Sequence, residues 1–194
     1  MFESLVPYIK ERLTKHHELY TGKCKAEYWE ENLAYALRQA GYGSNWKPDC
    51  NHKSGADQTT DCGIRISNKS GSIVRDVVGI SGSRLTGHGT LQEKLEFLSV
   101  PKEDYILSLA TEKGNWGKGK KIYYFIVIDP KKLNYHEHEW FETIGKRGSL
   151  KGKVNGWKMI SEDYTAKISK KMSDQIWTGV KLDICEEIHD IVIG

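Results

Sequence analysis

From Ser54 to Gly71 the chain reads Ser-Gly-Ala-Asp-Gln-Thr-Thr-Asp-Cys-Gly-Ile-Arg-Ile-Ser-Asn-Lys-Ser-Gly. Asp57 stands where a polar loop passes into strand structure, and Lys69 ends the run that begins at Ile64. A tight turn around Asp61–Gly63 would fold Asp57 back beside that run, so that a carboxylate and an ammonium share one pocket. Ser67 lies two residues before Lys69, and strand alternation points both to the same face. This pairing suits phosphodiester hydrolysis. At neutral pH that reaction needs a metal to generate hydroxide and to neutralise developing charge. Magnesium does so with one or two carboxylates plus water and substrate oxygens. A neighbouring lysine positions or deprotonates the water and stabilises the phosphorane. Two other acids compete for the role of Asp57: Asp49, in a literal Pro48-Asp49, and Asp61. Asp57 is preferred because Cys50-Asn51-His52-Lys53 does not look like a strand.

The segment resembles the PD-(D/E)XK nuclease superfamily, in which an Asp opens one strand and a (D/E)-x-Lys element closes the next. The short separation of Asp57 and Lys69 is similar to that of compact PvuII-like type II restriction endonucleases. The likeness covers roughly residues 25–180 in element order and is specific over residues 55–71. It implies a restriction-endonuclease-like core and a Mg2+-dependent, sequence-specific endonuclease acting on double-stranded DNA. Asp57, Ser67 and Lys69 would be catalytic, with Asp57 on the metal. The chain departs from the pattern at Ser67, where the second acid would stand. Many such nucleases carry a Glu on the helix before the first core strand, which makes Glu30 the candidate catalytic and metal-ligating acid. Glu30 shares a stripe with Ala26, Trp29, Leu33 and Leu37, and an inward-facing unpaired glutamate is costly. Glu27 and Glu31 lie on the same helix. A repair or recombination nuclease of this fold and a non-catalytic DNA-binding protein are the alternatives.

Ile80-Ser-Gly-Ser-Arg-Leu-Thr-Gly-His-Gly-Thr90 combines short polar side chains, glycine and one arginine. On a loop leading to a capped helix it suits reading of base edges, with Arg84 bidentate to guanine and Thr86 and His88 adding contacts. Lys118, Lys120 and Lys121 fall in a Gly-rich basic stretch with Trp116, suited to a phosphate backbone. From Gly145 to Lys171 eight basic residues face two acids, whereas Leu182–Gly194 carries four acids and no Lys or Arg. Cys50-x-His52 with Cys62 or Cys24 matches no compact zinc spacing. No Gly-x-Ser-x-Gly motif supports serine catalysis.

Periodicity places amphipathic helices at residues 2–19 and 25–40. Strands are expected at Gly63–Ser67 and Ser72–Ile80, joined by a turn at Asn68–Gly71, though the first strand can run through Lys69. Thr90 and Glu93 form a capping-box signal for a short helix with Leu91, Leu95 and Leu98. Further strands follow at Asp104–Ala110 and Lys121–Ile128, the latter apolar on both faces and so central. A short helix is expected at Glu139–Ile144, then a basic hairpin and loop. The fold class is α/β (α+β), a mixed central sheet flanked by helices.

The 194 residues, with 38% hydrophobic, 28% charged and a net charge of +3, suit one globular domain over 1–194. Segment 1–20, whose apolar stripe needs a partner, is a candidate dimerisation element, and 145–180 a candidate DNA contact. A homodimer would match a palindromic target. The longest apolar run, Ile122–Ile128, is too short for a membrane helix. Four cysteines without a close pair suggest a reducing, cytoplasmic setting.

Overall fold

The computed structural model of the chain describes residues 1–47, 56–114, 116 and 120–194. Helix α1 (Val6–Leu19) follows a 3-10 turn at Glu3–Leu5, and Pro7 stands in its first turn, where the missing N–H costs no hydrogen bond. Helix α2 (Ala26–Gln39) closes through Gly41 at φ +83°. The Gly41 N–H donates to Arg38 O and the Tyr42 N–H to Leu37 O, a cap that asks for a left-handed residue. Thr90 and Glu93 form the expected capping box at α3 (Leu91–Leu98).

The strands are β1 (Gln58–Thr59), β2 (Arg65–Val74), β3 (Val77–Arg84), β4 (Tyr105–Glu112), β5 (Lys121–Ile128), β6 (Phe141–Ile144), β7 (Val154–Ile160), β8 (Tyr164–Ser169), β9 (Gln175–Lys181) and β10 (Glu187–Ile193). They form one sheet in the order β10-β5-β4-β2-β3-β9-β8-β7-β6, with β1 beside β2. β2 and β4 run parallel, from Ile66 opposite Tyr105 to Ile73 opposite Glu112. The other strand pairs are antiparallel. The chain is therefore mixed α+β.

Alternation divides the core between the two faces of the sheet. On one face the N-terminal turn, α1 and α2 bury Leu5, Ile9, Leu13, Trp29, Leu33 and Leu37 against Ile66, Leu107, Leu109, Phe125 and Val127. The other face gathers Ile80, Ile106, Ile126, Leu133, Tyr164, Ile168 and Ile176. There the segment after β5 bridges the sheet: Leu133 and Trp140 pack into this cluster, and the Tyr135 and Thr178 hydroxyls lie 2.9 Å apart. β5 is covered on both faces, as its sequence requires.

Three expectations need correction. The Asn68–Gly71 turn does not exist: these residues continue β2, and the reversal comes at Arg75 and Asp76, with φ of 50° and 60°. Such a pair of positive φ values makes the two-residue turn whose twist matches a hairpin. Gly71 is small for a packing reason, since a Cβ there would lie 3.0 Å from Val78 and 3.1 Å from the Ser108 hydroxyl. Residues 141–144 form strand β6, paired with β7, and not a helix. A six-residue helix is hard to nucleate, and Phe141, Thr143 and Ile144 suit a pleated surface. Finally, the apolar stripe of the N-terminal segment is not left over for a partner: Phe2, Leu5, Ile9 and Leu13 are fully buried within the chain.

Candidate active site

The tight turn after β1 forms as the spacing suggested. The Thr60 N–H donates to Ile64 O and the Gly63 N–H to Thr60 O, so β1 folds back along the start of β2. β1 pairs with β2 only at Arg65 and Ile66, and β3 pairs with it only from Ser72 to Val74. Between them one edge of β2 has no strand partner among the described residues, and Asp57 lies in that gap. Its N–H donates to Ile66 O at 2.9 Å. Its Oδ2 accepts from the Asn68 N–H at 2.6 Å and the Ser67 hydroxyl at 3.1 Å, and lies 3.4 Å from Lys69 Nζ. Three donors on one oxygen fix the carboxylate. Among the described residues Oδ1 has no partner.

Ser67 and Lys69 share the face of Ile106 and open into a cleft of about 500 Å3. Its walls come from β2, the Ile80–Arg84 half of β3, the end of α3, residues 100–103, the turn after β5 and the start of β9. Glu103 stands at its edge. Burial holds the Glu103 carboxyl above its ordinary value of 4.5; Asp57 adds to the rise, while Lys69, Lys102 and Arg65 oppose it. A second carboxylate thus lies within electrostatic reach of Asp57 and Lys69. The register of β4 on β2 brings it there. The next residue, Asp104, accepts from the Arg65 N–H at 2.9 Å and from the Arg65 guanidinium at 2.8 Å, and its own N–H donates to Arg65 O. This clamp ties the start of β4 to the start of β2.

The structure does not bring Glu30 to this cluster. Glu30 lies on α2, which packs on Ile66, Leu107 and Leu109. By alternation that is the face opposite Ser67, Lys69 and Ile106. Ser67 donates to Asp57, so it positions that carboxylate. Asp61 sits in the turn, with its carboxylate over the Cα of Gly43. Asp49, Cys50, His52 and Lys118 lie outside the described residues. Of the zinc candidates, Cys24 is buried, and burial pushes its thiol up to about 11.

Arg84 lines the cleft with Lys69 and Glu103. Thr86 is exposed and lies outside the lining. His88 is turned toward α3: its ring lies 4.5 Å from that of Phe97, and its carbonyl accepts from buried Lys94. Lys120 and Lys121 stand at the far end of the sheet, where Lys121 faces Ile193. Lys69 is opposite Ser108, so that end lies about 16 Å further along the strands at 3.3 Å per residue.

Glu103 escaped sequence reasoning. Glu103 directly precedes an apolar strand, a usable signal, but its relevance depends on β4 lying parallel to β2. Comparison of the chain with models of known families gave no match, and neither did comparison with curated proteins or with solved structures. No helix among the described residues is long and apolar enough to cross a membrane.

The oxygen donors fit a hard cation. Among the described residues one Asp57 carboxylate oxygen has no partner, and Glu103 is a second acid whose charge a nearby cation would stabilise. No three His, Cys, Asp or Glu side chains among the described residues converge to hold a metal unaided. Two carboxylates completed by water and substrate suit magnesium better than a protein-only zinc site.

Proposed function

We propose that the chain is a magnesium-dependent endonuclease that cuts double-stranded DNA. The observation that carries this is that Asp57, fixed by the Ser67 hydroxyl and the Asn68 N–H, lies 3.4 Å from Lys69, which shares one cleft with Glu103. Asp57 and Glu103 would hold Mg2+, which supplies charge neutralisation at the phosphate and acidifies a water. Glu103 takes the part that the sequence pattern gave to the missing second acid. Lys69 orients the attacking water and stabilises negative charge as the phosphorane forms. Arg84, on the same cleft, contacts the nucleic acid beside the scissile phosphate.

Cleavage of a symmetric site on both strands would use two copies of the chain. Because the apolar stripe of α1 is buried within the chain, their contact would have to use groups other than that stripe. Incubation of plasmid DNA with protein in Mg2+ and in chelator tests the proposal. Discrete, reproducible fragments support a restriction enzyme. Nicking confined to lesions favours a repair nuclease. Retained binding without cleavage at any Mg2+ concentration would leave a non-catalytic DNA-binding protein.

A further inference from the structure

The two N-terminal helices cover only part of their side of the sheet. They pack on β2, β4, β5 and β10, and their cluster takes no residue from β3, β9, β8, β7 or β6. In those five strands Ile80, Ile176, Ala166, Ile168 and Met159 are buried on the cleft side. Their neighbours along each strand point the other way, to the helix side, beyond the reach of the helices. Four of these stand in register across the sheet: Trp177 pairs with Lys167, Lys167 with Lys158, and Lys158 with Phe141. Trp177 is 39% exposed and Phe141 49%, and both lysines are exposed. With about 4.8 Å between strands, the row is about 14 Å long.

A solvated sheet face does not call for this row. Like charges directly opposite one another destabilise a strand pair. Lysines guard sheet edges, but β7 and β8 are interior strands. Neither lysine has an ion-pair partner among the described residues. The one acid in the five strands, Glu142, is paired with Trp157 and so belongs to the cleft side. Beside Trp177, Gly79 is paired with Gly179 on the same face. The nearest atom to a Cβ built at Gly79 would be 3.7 Å away, so a side chain has room there and the floor is bare backbone. Glycine inside a strand weakens it and marks a close approach of another group.

We propose that this face binds a single-stranded segment of nucleic acid: bases stack on Trp177 and Phe141, and the phosphates between them lie over Lys167 and Lys158. Exposed rings on a flat sheet stack two or three bases, and they need bases whose faces are free, which a duplex does not offer. The lysines, unopposed by any acid on the face, meet the phosphates. The same lack of acids disfavours a second copy of the chain, which would bring only more lysines. The row and the cleft lie on opposite faces of the sheet, so this binding is independent of the endonuclease reading.

Anisotropy of labelled oligothymidylate, read in chelator so that no Mg2+-dependent cleavage intervenes, measures the binding. An abasic strand of equal length supplies the same phosphates without bases. Oligothymidylate should bind about tenfold more tightly than the abasic strand. Trp177→Ala should remove most of that preference, and Trp177→Phe, which keeps a ring, should retain it. Lys167→Ala should lower the slope of log affinity against log salt by about 0.7. Duplex binding should be unchanged in all three variants. Equal binding of the two strands, or an unchanged preference in Trp177→Ala, would overturn the proposal. A parallel loss of duplex binding would also overturn it, since the face would then serve any DNA. Sedimentation showing a dimer that Trp177→Ala dissociates would give the face to a second copy. Binding to phosphatidylserine vesicles without binding to oligothymidylate would give it to a membrane surface. Either result overturns the proposal. Oligouridylate of the same length separates the sources, the tighter binder showing whether the strand is RNA or DNA.

Discussion

Lys69 and Glu103 make opposite demands on one small volume. Lys69 brings a positive charge to Asp57 at 3.4 Å, and Glu103 is a carboxylate whose ionised form burial disfavours. Because its carboxyl is raised, the folded chain holds the Glu103 proton more tightly than the unfolded chain does. The stability it contributes is full below pH 4.5 and is lost as pH rises through its raised value. Urea unfolding at pH 4 and pH 7.5 should therefore show Glu103→Gln gaining stability relative to wild type at the higher pH. Mg2+ should raise the melting temperature of wild type and not of Glu103→Gln, since bound ligand stabilises the folded state. An identical pH response in both proteins would remove Glu103 from the cluster. Lys69→Ala should lower cleavage by orders of magnitude, and Lys69→Arg should not rescue it, because a planar guanidinium cannot replace a point charge. A Lys69→Ala enzyme within a few-fold of wild type would exclude Lys69.

Helix α3 forms one wall of the cleft and is tied down through its N-terminal half. Thr90→Ala removes its capping box and should cost about 1 kcal/mol. Lys94 is fully buried, 3.4 Å from Asp174, and donates to the His88 carbonyl. Lys94→Ala strands Asp174 and should cost about 3 kcal/mol in chemical denaturation. A cost below that of Thr90→Ala would show that the pair does not hold α3. Periodicity and caps made α1, α2, α3, β4 and β5 legible in the sequence, because each buries one repeating face or announces its ends. The β2 reversal was not legible. Asn68, Ser70 and Gly71 are turn formers by composition, but a parallel neighbour on β4 and the packing of Gly71 keep them extended. Asp57, Ser67 and Lys69 were readable because one local turn brings them together. Glu103 was not, because it arrives through a pairing between strands separated by a hairpin and a helix. Glu30 had the right helical stripe but lies on the wrong face of the sheet, a distinction that only the sheet's alternation supplies.

At the scale of the molecule, the cleft and the Lys120–Lys121 pair are placed apart. Arg84 is at the cleft, whereas Lys120 and Lys121 are at the opposite end of the strands. Arg84→Ala should weaken cognate DNA binding by roughly 1–3 kcal/mol and relax discrimination at one base pair. Lys120→Ala and Lys121→Ala should leave the salt dependence of binding near that of wild type, since a phosphate outside the footprint releases no counterions. Fluorescence anisotropy across a salt series reads both. A slope flattened by the lysine changes would extend the footprint to the far end of the sheet. Light scattering with and without DNA gives the number of copies, and two copies on DNA with one in solution would fit a symmetric target and a buried α1 stripe.

The most direct measurement is the rate of plasmid cleavage in Mg2+ by wild type, Asp57→Ala and Glu103→Gln, with DNA binding followed in parallel. Wild type should cut. Both variants should lose cleavage while still binding DNA, and Asp57→Ala should bind at least as tightly, because it removes a negative charge facing phosphate. Cleavage at the wild-type rate by either variant would contradict a site built on these two carboxylates.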